Sequence, residues 1–131
     1  MNGERNGKGK QYYSDGELGF EGEYLNGKIN GKGKQYSFGK LFYEGEFSDE
    51  KRHGKGKAYY NGKLYFEGEY YNDWQLQGKL YIKGKLEYEG EFLFNKKWNG
   101  RGFDENGNII YELINGNGKV KEYDATNGII I

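Results

Sequence analysis

Cysteine and proline are both missing from this 131-residue chain, and histidine and methionine occur once each. Without cysteine there is no disulfide framework and no thiol chemistry. One His and no Cys cannot make a zinc site of ordinary type. Aliphatic side chains are scarce, since the hydrophobic share is 34% even with every Tyr counted. A core built on Leu, Ile and Val is therefore not expected. No apolar run approaches the ~18–20 residues of a membrane span. The opening residues, Met1 to Asn6, lack the apolar stretch of a signal peptide, so the expectation is an intracellular, cytoplasmic protein. An excess of one charge is missing too. The 20 Lys plus Arg balance 20 Asp plus Glu, and the signs alternate over a few residues. No polybasic field for nucleic acid is visible, and no nucleic-acid partner is expected. The 31% charged content would suit disorder, but zero net charge and 18% aromatics oppose it.

What is present is glycine, aromatic rings and a period. The chain has 24 Gly and as many rings, 14 Tyr, 8 Phe and 2 Trp. Glu-Gly-Glu recurs with its glycine at Gly22, Gly45, Gly68 and Gly90, spaced by 23, 23 and 22 residues. Two residues before each glycine stands a ring: Phe20, Tyr43, Phe66, Tyr88. Two residues after stands another: Tyr24, Phe47, Tyr70, Phe92. Turn dipeptides precede these segments, among them Asp15-Gly16, Phe38-Gly39, Asn61-Gly62 and Lys83-Gly84, and a tight hairpin turn needs positive φ. Gly-Lys-Gly-Lys lies upstream at 7–10, 31–34 and 54–57.

The unit reads strand, glycine turn, strand, then a polar linker such as 25–30. The whole chain, 1–131, is one array of about six hairpins, at 7–24, 31–47, 54–70, 78–92, 100–114 and 116–131. The last two are degenerate: Leu113 and Ile114 replace the Gly-Glu expected after Glu112, and the last hairpin ends in Ile129, Ile130 and Ile131. Residues 2–7 copy the linker 26–31, so the chain reads as opening inside a repeat of a longer array. The fold class is all-β, an elongated antiparallel sheet of successive hairpins with no helices of note.

Strand alternation assigns the faces. Leu41, Tyr43, Gly45 and Phe47 share one; Phe42, Glu44 and Glu46 share the other, with Lys32, Lys34 and Tyr36. A two-residue loop at Asp15-Gly16 would pair Lys10 with Glu21, Lys8 with Glu23, and Gly9 with Gly22. A strand glycine leaves a shallow floor over which a ring can lie. Ring-on-glycine stacking is thus expected to replace a central core. Tyr12, Tyr36, Tyr59 and Tyr81 recur on the charged face, as strand formers or as a contact stripe.

These residues resemble the MORN repeat, which reads approximately Tyr-x-Gly-x-Phe, a polar linker, Gly-x-Gly and an Asn/Asp-Gly turn. Residues 43–47, 48–53, Gly54-Lys55-Gly56 and Asn61-Gly62 follow it in order, as do 20–24 and 88–92 with their glycines. The linker Asp73 to Gln77 is short by comparison. The resemblance implies an elongated, twisted sheet serving as a scaffold, with protein contact, dimerisation and membrane-lipid binding all associated with such repeats. It allows a cytoplasmic, membrane-associated or cytoskeletal setting.

Catalysis needs a nucleophile, a positioned base or a metal. His53 reads as a solvated linker residue. Glu44 and Glu46 recur in every repeat and face Lys, which suits a surface ladder better than a carboxylate dyad. Residues 22–28 follow the first seven places of a phosphate loop, but Ile29 stands where Ser or Thr is required and no helix follows. No enzyme activity, cofactor or metal is expected. The leading expectation is a scaffold that binds a protein, with Tyr36, Phe42, Tyr59, Tyr65 and Tyr81 as candidate contacts. A phospholipid-targeting module, an antitoxin-like role and an accessory domain of a larger enzyme are the alternatives. End-to-end self-association is also expected, through unpaired edge strands.

Overall fold

The computed structural model describes residues 5–120. Among them it forms one open antiparallel sheet of eleven strands in sequence order: β1 (Gly7–Tyr12), β2 (Leu18–Leu25), β3 (Lys28–Ser37), β4 (Lys40–Ser48), β5 (Lys51–Tyr60), β6 (Lys63–Tyr71), β7 (Trp74–Ile82), β8 (Lys85–Leu93), β9 (Lys96–Phe103), β10 (Ile109–Ile114) and β11 (Asn117–Val120). Most of the final expected hairpin, residues 121–131 with Asn127-Gly128 and the three Ile, lies outside the described residues.

Hairpins and linkers are not distinct. Each polar linker is itself a turn of two residues flanked by strand, so every strand pairs with the next. At Asn26-Gly27 φ is 51° and 80°, and at Asn61-Gly62 it is 50° and 79°, the signature of the type I′ turn. Asp49-Glu50, Asn72-Asp73 and Phe94-Asn95 take the same turn with no glycine. His53 is thereby corrected: it belongs to β5, half-buried rather than in a solvated linker. Only 13–17 and 104–108 are longer loops. The predicted register of β1 on β2 holds, with Gly9 opposite Gly22 and Lys10 opposite Glu21, although the loop has five residues rather than two.

The expected division of faces needs one correction. Gln35 pairs with Tyr43 and Tyr36 with Leu41, so Phe42 is an extra residue in β4. Such a bulge turns two successive side chains to one side. Phe42 accordingly packs against the aromatic core beside Tyr43, and Leu41 moves to the face of Tyr36. The bulge recurs at Tyr65 and Glu87.

The core is a single line of rings. Phe20, Tyr24, Tyr43, Phe47, Phe66, Tyr70, Tyr88 and Phe92 are all buried, with Tyr43, Phe66 and Tyr88 at 0% exposure. Each ring meets the next edge-on: Phe20 lies 5.4 Å from Phe47, Tyr43 lies 5.3 Å from Tyr70, and Phe66 lies 5.5 Å from Phe92. The line ends at Tyr111, stacked on Tyr88 at 6.3 Å. Edge-to-face pairs of this kind add about 0.5–1.5 kcal/mol each beyond area burial. Glycine makes the line possible. A Cβ at Gly56 would stand 2.6 Å from Tyr43 Cε1, and one at Gly33 would stand 2.5 Å from Phe20 Cε1. The rings come from the preceding strand, as ring-on-glycine packing requires.

Candidate functional site

With the buried rings on one face, the other face carries charge, glycine and the half-buried Tyr36, Tyr59 and Tyr81. Nine glycines, from Gly9 to Gly100, pair strand to strand in an unbroken row. Beside it runs a row of alternating charge. Lys10, Glu21, Lys34 and Glu44 begin it, Lys57, Glu67 and Lys79 continue it, and Glu89, Arg101 and Glu112 end it. Together these rows line a groove of about 1660 Å³ reaching from β1 to β9. Eight basic and eight acidic side chains border it. Few of them clamp one another: Arg101 and Glu89 close to 4.0 Å, and no Lys–Glu pair of the groove comes within that distance among the described residues. Most of the carboxylates are instead held by uncharged donors, Glu21, Glu44 and Glu67 by tyrosine hydroxyls, Glu23 and Glu46 by backbone N–H groups and Glu91 by Asn99, which leaves the lysine side chains of the groove to turn to a ligand.

Three of the expected contacts stand on the groove side. Tyr36 donates its hydroxyl to Glu21 Oε1 at 2.6 Å, Tyr59 to Glu44 at 2.7 Å, and Tyr81 to Glu67 at 2.6 Å. The phenols are pushed up to about 12. For Tyr36 the carboxylate that accepts its proton is the main cause; for Tyr59 and Tyr81 burial comes first and the carboxylate second. The three rings are therefore neutral and held at fixed angles by their carboxylates. Phe42 and Tyr65 lie on the ring side because of the bulges. A second depression of about 950 Å³, along the edge of the Phe38, Asn61 and Lys83 turns, borders Phe42, Tyr59, Tyr65 and Tyr81 but not Tyr36. Tyr12 lies on β1 and is exposed.

Two features escaped the sequence reading. The Arg52 guanidinium lies 4.4 Å from the Tyr43 ring and 5.7 Å from those of Phe42 and Tyr70, with Nε donating to Gln35 Oε1 at 3.2 Å. Lys97 pairs with Glu87 at 2.6 Å and donates to the Tyr111 hydroxyl at 2.8 Å. Burial works against the Lys97 cation, yet Glu87 and Tyr111 together raise its pKa. Both cations come from segments read as linkers. The signal available was their place five residues after Phe47 and Phe92, where the strand turns back over the rings. No three His, Asp or Glu side chains among the described residues converge as a metal cage would.

The family model described as MORN repeat matches residues 1–17, 20–38 and 43–63. Residues 1–63 carry MORN repeats. The matched segments lie in the N-terminal half, and the glycine row, the ring line and the two-residue turns carry the MORN geometry on through β9. MORN repeats are known in binding and scaffold modules, and the family is generally non-catalytic. No curated protein matches this sequence at a significant level.

Proposed function

We propose that this chain is a non-catalytic scaffold module of the cytoplasm that seats a segment of a partner protein along its charged groove. The observation that supports it is the groove itself, a glycine floor bordered by eight basic and eight acidic side chains across nine strands. At about 4.8 Å per strand it spans roughly 40 Å, the length of about twelve residues of extended chain. A glycine floor lets a backbone approach closely. Tyr36, Tyr59 and Tyr81 hold Glu21, Glu44 and Glu67 of the groove in place, so these carboxylates leave little ordering cost to meet on binding. Equal numbers of acidic and basic groups suit a mixed-charge protein segment. They do not suit an anionic membrane, where each basic residue adds about 1 kcal/mol and each acidic one opposes it.

Affinity capture from source cells tests the reading with three baits: the native chain, a Tyr36→Ser/Tyr59→Ser/Tyr81→Ser variant and a Phe42→Ser/Tyr65→Ser variant, each checked for native circular dichroism. A protein held by the native chain, lost by the first variant and kept by the second supports the groove. Loss only with the second moves the interface to the ring side. Flotation with anionic vesicles, in the absence of any specific protein partner, would replace the reading with a lipid one.

A further inference from the structure

The groove presents its two kinds of charge unequally. In the row that begins at Lys10, Glu21, Glu44 and Glu67 are half-buried and each accepts a tyrosine hydroxyl. Lys34, Lys57 and Lys79, which alternate with them, are exposed, as is Lys10. None of these four ammonium groups forms an ion pair among the described residues. The row therefore turns its cations outward and keeps its carboxylates engaged. Its far end differs, because Arg101 already reaches Glu89 at 4.0 Å. Register fixes where the cations stand. From Lys10 to Lys79 the members of the row lie directly opposite one another, strand after strand. The exposed lysines thus recur on every second strand, about 9.6 Å apart.

We propose that the partner segment crosses these strands as a polyproline II helix with an acidic residue at every third position, a reading that rests on the groove interface proposed above. Polyproline II has three residues per turn and rises about 3.1 Å per residue, so every third side chain points the same way about 9.3 Å farther on. Three such steps cover about 28 Å, against about 29 Å from Lys10 to Lys79. Lysine stems absorb a difference of that size. Each acidic group then meets one exposed ammonium. The two residues between successive acidic groups pass over the engaged carboxylates, where a further negative charge would be repelled. With no internal hydrogen bonds to break, such a segment follows the twist of the sheet.

Other regular conformations fit worse. In a β-strand three residues advance about 10 Å, but the third side chain then points to the opposite side. In an α-helix seven residues advance about 10.5 Å, so a fourth acidic group at that spacing would overshoot Lys79 by about 3 Å. The helix is also about 10–12 Å across with its side chains. The two charged rows that wall the groove stand two residues apart on each strand, about 7 Å.

The probe is a fluorescein-labelled peptide of four Pro-Pro-Glu repeats. Beside it stands an isomer of the same composition with its four Glu contiguous. Anisotropy titration against the whole chain, at about 20 mM salt where exposed charges are little screened, gives the affinities. We expect saturable binding of the repeat peptide. Affinity should be at least fivefold weaker for the isomer, and at least fivefold weaker in a Lys34→Gln/Lys57→Gln chain of native circular dichroism. Absence of binding at millimolar peptide overturns the proposal. So does equal affinity for the isomer, or binding unmoved by the two substitutions. Tighter binding of an alanine-based helical peptide with Glu at every seventh residue overturns it in favour of a helical occupant. The groove interface fails or survives separately: a protein lost with the tyrosine variant and kept with the Phe42→Ser/Tyr65→Ser variant upholds it even where the repeat peptide does not bind.

Discussion

At the β2–β3 and β4–β5 junctions three residues bulge opposite a single Glu, whereas at β6–β7 and β8–β9 two do. The longer bulge needs a residue in the left-handed region, and Gly31 and Gly54 supply it at φ 106° and 98°. It also turns an N–H toward the opposed carboxylate. Glu23 accepts from Lys32 N at 2.8 Å, and Glu46 from Lys55 N at 3.0 Å. In the C-terminal half Glu91 takes a side-chain amide instead, Asn99 Nδ2 at 2.7 Å. Identical Glu-Gly-Glu tripeptides thus do different work. In one half the second Glu serves the backbone; in the other it stands free of it. The outer turns differ as well. Ser48, Asp49 and Glu50 are polar at one turn, but Tyr71, Trp74 and Phe94 are exposed in the C-terminal half, with Trp74 and Phe94 edge-on at 5.3 Å. The lesson is that a period in sequence guarantees the pairing of strands, not the role of each charge.

Breaking the link between the halves should have the largest effect. Phe66 joins Tyr70 to Phe92 and is fully buried. Phe66→Ala is expected to cost about 3–5 kcal/mol and to split unfolding into two transitions, seen as separate hydrogen-exchange groups on β1–β5 and β7–β10. A single cooperative loss would mean that the ring line does not carry the coupling.

Next comes the bulge itself. Gly54→Val puts a branched side chain at positive φ, with Glu46 Cδ 3.1 Å from the new Cβ. A cost of about 1–3 kcal/mol by denaturant titration is expected. Gln77→Ala at the shorter junction should stay within about 0.5 kcal/mol. Equal effects would erase the distinction between junctions.

The groove tyrosines make a pH prediction. Their folded pKa values are raised to about 12 from an ordinary 10. Stability from the neutral phenols is therefore full below pH 10 and is lost as pH rises through 10 to 12. Thermal melts across that range should fall, and a Tyr36→Phe/Tyr59→Phe/Tyr81→Phe chain should fall less steeply.

The smallest effect is expected at His53. Its Nδ1 accepts the Asn72 N–H at 3.4 Å, the job Asn30 does for Asp49 and Asn99 for Asn115. His53→Asn should change stability by no more than about 0.5 kcal/mol, with the melting midpoint as readout.

The strand order, the glycine row and the buried rings were legible because each follows from a period of two within a period of 22 or 23. The bulges were not. Nothing in Leu41-Phe42-Tyr43 announces that two neighbours will turn the same way, since the extra residue arises from fitting a two-residue turn to a fixed Lys–Glu register. Phe42 and Tyr65 were placed on the charged side for that reason. Arg52 and Lys97 were missed for a related one. A run of polar residues reads as a linker unless the ring line beneath it is known to need a cover.

One consequence of the ring line concerns growth. Each ring touches only its own repeat and the next, as Phe20 does Phe47 and Tyr43 does Tyr70. A duplicated unit would find its contacts ready-made on either side and lengthen the molecule by two strands, about 10 Å, without disturbing what lay beyond. The molecule is in that sense a ruler, and repeat number sets its reach.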